Sequence, residues 1–268
     1  MGCHKVAGER IESRSAVYKS EKTGCREVAV RGRYPPLFLP RNKEDTMKKL
    51  SLFAAVLLTV LLFGSALCTA GINEDLYQAV RDKDAQKVKY LLAQGADVNA
   101  QQKNWAGAPF SPLYVASGDG SIEIAKMLLD KGADVNAKNI YERTALMAAC
   151  AKGKKDVVLA LLDKGAVVNM TSYEKTTPLM DAITGEGGDA AADIVKALLD
   201  KGADANYAKD GWTCLMYAAA QGKTEIVKLL LAKGVDVSKV KDGNTALSLA
   251  SSRGYDEIAR LLKAAGAK

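Results

Sequence analysis

Two short strings recur in step along most of this chain, and together they dictate an array of small units rather than a single globule. The first is Gly95-Ala-Asp-Val-Asn99, repeated as Gly132-Ala-Asp-Val-Asn136, Gly165-Ala-Val-Val-Asn169, Gly202-Ala-Asp-Ala-Asn206 and Gly234-Val-Asp-Val-Ser238, with Gly266-Ala267 opening a sixth copy. The second is Ser111-Pro-Leu-Tyr114, repeated as Thr144-Ala-Leu-Met147, Thr177-Pro-Leu-Met180, Thr213-Cys-Leu-Met216 and Thr245-Ala-Leu-Ser248. The glycines are spaced 37, 33, 37, 32 and 32 residues apart. From Ser/Thr to glycine is 21 residues in four copies and 25 in the copy that starts at Thr177. Two independent strings in one register mark a repeat architecture.

Each unit has a physical reading. Ser or Thr followed by Pro or Ala is a helix N-cap with a first-turn residue that needs no N–H partner. Leu-x-x-Ala-Ala, as in Leu215 to Ala219, predicts a short helix with a small-residue face. Gly120, Gly153, Gly222 and Gly254 break it. An amphipathic second helix follows, as in Glu225 to Leu231, with Leu229 expected in the core. Lys-Gly ends it, the lysine complementing the helix dipole and the glycine taking a left-handed cap. Asp210-Gly211 and Asp242-Gly243 predict tight turns in extended arms. No single unit can bury its own apolar faces, so the core must be the stack.

Helix, helix and turn finger at this period resembles the ankyrin repeat, over Gly71 to the C-terminus. The resemblance implies an all-α ankyrin-repeat solenoid of six helix-turn-helix units with β-turn fingers. Their bounds are 71–101 (N-terminal cap), 102–138, 139–171, 172–208, 209–240 and 241–268 (C-terminal cap). Where ankyrin units usually carry a structural histidine, this chain has Tyr114, Met147, Met180, Met216 and Ser248. The resemblance also implies that partners meet the finger tips and the groove lined by first helices. Carried over by position, the finger residues are Tyr141 and Arg143, Tyr173 and Glu174, Lys209 and Trp212, Lys241 and Asn244. Lys152, Gln221 and Arg253 fall at the groove ends of first helices. The first finger is longer and carries Trp105 and Phe110.

Aromatic residues and arginine supply most interface hot-spot energy. Trp105, Tyr141, Tyr173 and Trp212 lie on consecutive fingers, a row of roughly 30 Å at helix-packing spacing. That length suits another protein better than a small-molecule substrate, whose site is compact and concave. For Trp212 and Phe110, packing within the scaffold is an equal alternative.

Residues 1–46 show no apolar periodicity and carry Pro35, Pro36 and Pro40, which predicts a disordered or untranslated extension. Met47-Lys48-Lys49 then opens an uncharged stretch, Leu50 to Ala70. Basic start, apolar centre and small residues at the end are the parts of a signal peptide over 47–70, with cleavage between Ala70 and Gly71. Because such a signal works from the extreme N-terminus, translation is expected to start at Met47. The expected location is the periplasm or the medium, with an outward-facing membrane anchor as the alternative if the segment stays uncleaved.

The formal net charge of +7 does not argue for nucleic acid. Residues 1–70 hold 12 Lys+Arg and 6 Asp+Glu, which leaves 26 against 25 for the remainder. The single histidine, His4, precedes the repeats, so the repeats have no histidine base, nucleophile pair or histidine metal ligand. Cys150 and Cys214 sit in first helices two repeats apart, roughly 20 Å by helix packing, whereas a disulfide needs under about 7 Å. They are expected to be buried thiols. Glu186 and Asp189, in the insertion of the fourth unit, match neither a phosphate loop nor a calcium loop and are expected in a solvated loop. Asn169-Met170-Thr171 fits a glycosylation acceptor, but Asn169 is a repeat turn residue. The reading is a monomeric, non-enzymatic, cofactor-free protein-binding module. The alternative is a membrane-tethered scaffold or chaperone-like factor supporting an exported enzyme.

Overall fold

The computed structural model describes residues 71–103 and 109–268, all within one unit that spans Ser65–Lys268. Residues 1–70 and the finger residue Trp105 lie outside the described residues, and with them the expected extension, the signal segment and Ala70. Gly71 is the first described residue and is helical.

Among the described residues, six helix pairs follow one another. They are α1 (71–81) with α2 (Ala85–Ala93), α3 (Pro112–Asp119) with α4 (Ile122–Asp130), and α5 (Ala145–Ala151) with α6 (Lys155–Asp163). Then come α7 (Pro178–Thr184) with α8 (Ala190–Asp200), α9 (Cys214–Ala220) with α10 (Thr224–Ala232), and α11 (Ala246–Ser252) with α12 (Asp256–Ala264). Two antiparallel strand pairs complete the elements among the described residues: β1 (Gln102–Lys103) with β2 (Pro109–Phe110), and β3 (Ala208–Lys209) with β4 (Trp212–Thr213).

The local signals act as their chemistry demands. The side chains of Ser111, Thr144, Thr177, Thr213 and Thr245 each accept a hydrogen bond from the backbone N–H three residues on. Asp210 and Gly211 take φ of 49° and 89°, the left-handed pair that a two-residue turn between β3 and β4 requires.

Packing follows from one column of alanines. Ala79, Ala116, Ala149, Ala182, Ala218 and Ala250 hold equivalent positions in the six first helices, and every one is fully buried. Their small side chains let successive first helices approach closely. Second helices contribute Leu128, Leu161, Leu198, Leu230 and Leu262, also fully buried. Leu230, rather than the expected Leu229, is the deep residue of α10; Leu229 lies one step round the helix, half-buried against the core edge. The methionines that replace histidine are core as well: Met147, Met180 and Met216 are at most 2% exposed, so apolar packing occupies that position.

Polar contacts then tie neighbours together. Asn99, Asn136, Asn169 and Asn206 each accept from a backbone N–H of the next repeat at 2.8–3.0 Å. Asn169 also donates its amide to the Gly202 carbonyl at 3.0 Å, so the nitrogen a glycan would need already serves the stack. The lysines of the Lys-Gly stops reach back to the previous repeat, Lys164 to Asp130 at 2.8 Å and Lys233 to Asp200 at 3.2 Å.

The insertion of the fourth unit is solvent-exposed at Glu186 and Asp189, as expected, and is also tied to the third unit. Glu186 N–H donates to the Ala151 carbonyl at 2.8 Å, and its carboxylate meets Lys152 at 2.7 Å. A Cβ on Gly153 would come within 2.3 Å of Gly187 Cα, so the glycines permit backbone contact between the third and fourth units. Asp189, beside them, is exposed.

Candidate protein-binding surface

Exposed large apolar side chains stand singly on second helices, as at Tyr90 and Leu159, and gather on the finger tips. Asn139 Oδ1 accepts from Tyr141 N–H and Arg143 N–H at 2.9 and 3.0 Å, which holds one finger's turn. In the next finger, Thr176 N–H donates to the Ser172 hydroxyl at 3.1 Å. The tips then join: Tyr173 N–H donates to the Tyr141 carbonyl at 2.9 Å. Ile140, Tyr141 and Tyr173 are 56%, 48% and 79% exposed, an apolar patch across two fingers. Glu174 is exposed beside it.

Other expected finger residues sit lower. Trp212 stands immediately before its N-cap, at the foot of the finger, half-buried with its ring 5.6 Å from that of Tyr217. The expected aromatic row therefore narrows at the described tips to Tyr141 and Tyr173. Phe110 holds the equivalent position in its finger and lies 4.9 Å from the Tyr114 ring. Arg143 occupies the same place again, but its guanidinium is engaged internally, donating to Asp181 at 2.8 Å. Asp181 is nearly buried, and burial pushes its carboxyl above the ordinary value while Arg143 pulls against it. Lys241 lays its side chain over Gly211, and Lys209 and Asn244 are half-buried in their hairpin turns. At the helix ends Gln221 is exposed, and Arg253 donates to the Ala220 carbonyl, which bridges two repeats.

The groove holds an open pocket of about 370 Å³. Phe110, Arg143 and Lys152 line it together, although they come from two fingers and a helix end. Its other walls are Tyr77 and Arg81 of α1, Tyr114, Val115, Gly118 and Asp119 of α3, and Ala148 and Ala151 of α5. Tyr77 and Arg81 escape a reading of the sequence because the first unit lacks the Ser/Thr-x-Leu string that sets the register. Tyr114 is visible as the residue in place of histidine, yet nothing in the sequence says that it faces a cavity.

A family model for ankyrin repeats (3 copies) matches residues 76–172, 113–209 and 179–268. The chain belongs to the ankyrin repeat family. Comparison with curated proteins gives no match. Among solved structures, an ankyrin repeat domain from Acinetobacter baumannii AYE is 34% identical, with a TM-score of 0.63, and the match covers 72% of this chain and 98% of that one. Ankyrin repeats are generally protein–protein interaction modules and are typically non-enzymatic. In this ankyrin array, the apolar tip patch and the aromatic pocket are surfaces on the fingers and first helices that scaffold packing leaves open.

Proposed function

We propose that this ankyrin array is an exported, non-enzymatic module that captures a partner protein through its finger tips and groove. The observation that carries the reading is the Ile140–Tyr141–Tyr173 patch. Rings this exposed contribute nothing to the core, whereas tyrosines held on a fixed backbone are strong interface anchors. Export rests on the basic, apolar and small-residue segments of 47–70, with the mature chain starting near Gly71 in the periplasm or the medium. The test is affinity capture from the exported fraction with the wild type and with Tyr141→Ala/Tyr173→Ala, followed by N-terminal sequencing of the recovered chain. A protein retained by the wild type and lost from the double variant is expected. Equal capture by both, or a chain recovered only in the cytosol with Met47 intact, would overturn the reading.

A further inference from the structure

The groove pocket departs from the repeat pattern at the residues that form it. In the repeat register, the position of Met147, Met180 and Met216 is taken by Tyr77 and Tyr114 in the first two units. Four residues further on, where the third and fifth units have Ala151 and Ala220, stand Arg81 and Gly118. The methionines are sealed in the core. Tyr77 is buried as well, at 6% exposed, but Tyr114 is half-buried, and both line the open pocket.

Gly118 is the informative residue. It lies inside α3, where glycine is the poorest helix former after proline. Its φ is not in the left-handed region, and a Cβ there would meet only Ala148 Cβ at 3.8 Å, an ordinary contact. Neither backbone geometry nor crowding requires glycine. What glycine provides is space in the wall of the pocket it lines. A residue that costs helix stability and leaves a cavity open has the character of a functional position.

We infer that this pocket anchors one aromatic side chain of the partner, with its ring against Phe110 and Tyr114 and its polar edge toward Asp119. Tilted and offset ring contacts favour an aromatic guest over an aliphatic one of equal area. The guanidinium of the lining residue Arg81 suits a ring face, and the Asp119 carboxylate accepts from a phenol or an indole N–H. The volume admits one such side chain with its flanking backbone, not a folded element. This deepens the protein-binding reading and rests on it.

The test uses the full chain and a small probe, N-acetyl-tryptophanamide, followed by amide chemical shifts, with N-acetyl-leucinamide as the control. Saturable shifts at Gly118 and Asp119 are expected, at least about tenfold weaker for the leucine probe. Gly118→Leu should abolish them. Gly118→Ala should raise the melting temperature while weakening the probe, a combination that a purely structural glycine does not give. Absence of saturable shifts in the wild type, equal affinity for both probes, or unchanged binding in Gly118→Leu would overturn the assignment. Partner capture that is lost with Tyr141→Ala/Tyr173→Ala but persists in Gly118→Leu would retire the pocket alone and leave the protein-binding reading standing.

Discussion

The main-chain N–H of Tyr173 donates to the carbonyl of Tyr141 at 2.9 Å, so the tips of two consecutive fingers are fastened to each other. Fixed backbones leave only two side-chain torsions per tyrosine to be ordered on binding, which lowers the entropic cost of association. The bond involves no side-chain atom. Either ring can therefore be removed without cutting the link between fingers.

Arg143 and Asp181 couple the third and fourth units in a place where neither charge can be stranded cheaply. Their side chains are 21% and 8% exposed. Asp181→Leu should cost about 3 kcal/mol or more, because Arg143 is left without its carboxylate. Arg143→Met combined with Asp181→Leu should recover most of the loss, since an apolar pair fills the site without a charge. Urea denaturation of the two single variants and the double variant measures the coupling.

Acid should weaken the array through its surface pairs. Hydrogen bonds from Lys152 and Lys155 hold Glu186 and Asp193 below the ordinary carboxylate range. Their contribution is complete above the unfolded values and is lost as pH falls through the lower native ones. Burial moves Asp181 the opposite way, so its native carboxyl takes up a proton before the unfolded one and opposes the loss. Melting temperature should fall below about pH 4. Asp181→Asn should steepen that fall.

Both thiols should be inert. Cys150 and Cys214 are free and buried in α5 and α9, with α7 packed between those helices. Burial pushes the Cys214 thiol up to about 12 and moves Cys150 in the same direction. Millimolar reductant should leave the melting temperature unchanged, and an aromatic disulfide reagent should label the thiols only on unfolding. A clear drop on reduction would contradict the geometry.

The core of α10 makes a sharp comparison between adjacent residues. Leu230→Ala should cost about 2–5 kcal/mol as a buried large-to-small change. Leu229→Ala, at the half-buried position, should cost less than half as much. Thermal unfolding of the two variants decides between them.

Most of the fold was legible because its signals are local. Thr213 caps α9 and Asp210-Gly211 turns the hairpin before it, and each acts within four residues of where it stands. The site was less legible, because it depends on contacts between repeats. Arg143 looks like a free finger residue until Asp181, 38 positions later, is found against it. Glu186 reads as loop until Lys152 and the Ala151 carbonyl are placed beside it. Trp212 belongs to a finger in sequence but to the finger's foot in space, because the side chain before an N-cap turns toward the first helix. Leu229 and Leu230 differ by a rotation of one residue, which a run of three leucines cannot resolve.

Isothermal titration of the captured partner against the wild type and Tyr141→Ala/Tyr173→Ala, with the melting temperature of each, tests the central claim most directly. The account predicts a loss of more than about 2 kcal/mol in binding, roughly thirtyfold in Kd, with little change in melting temperature. Unchanged affinity, or a collapse of stability with binding preserved in the molecules that remain folded, would contradict it.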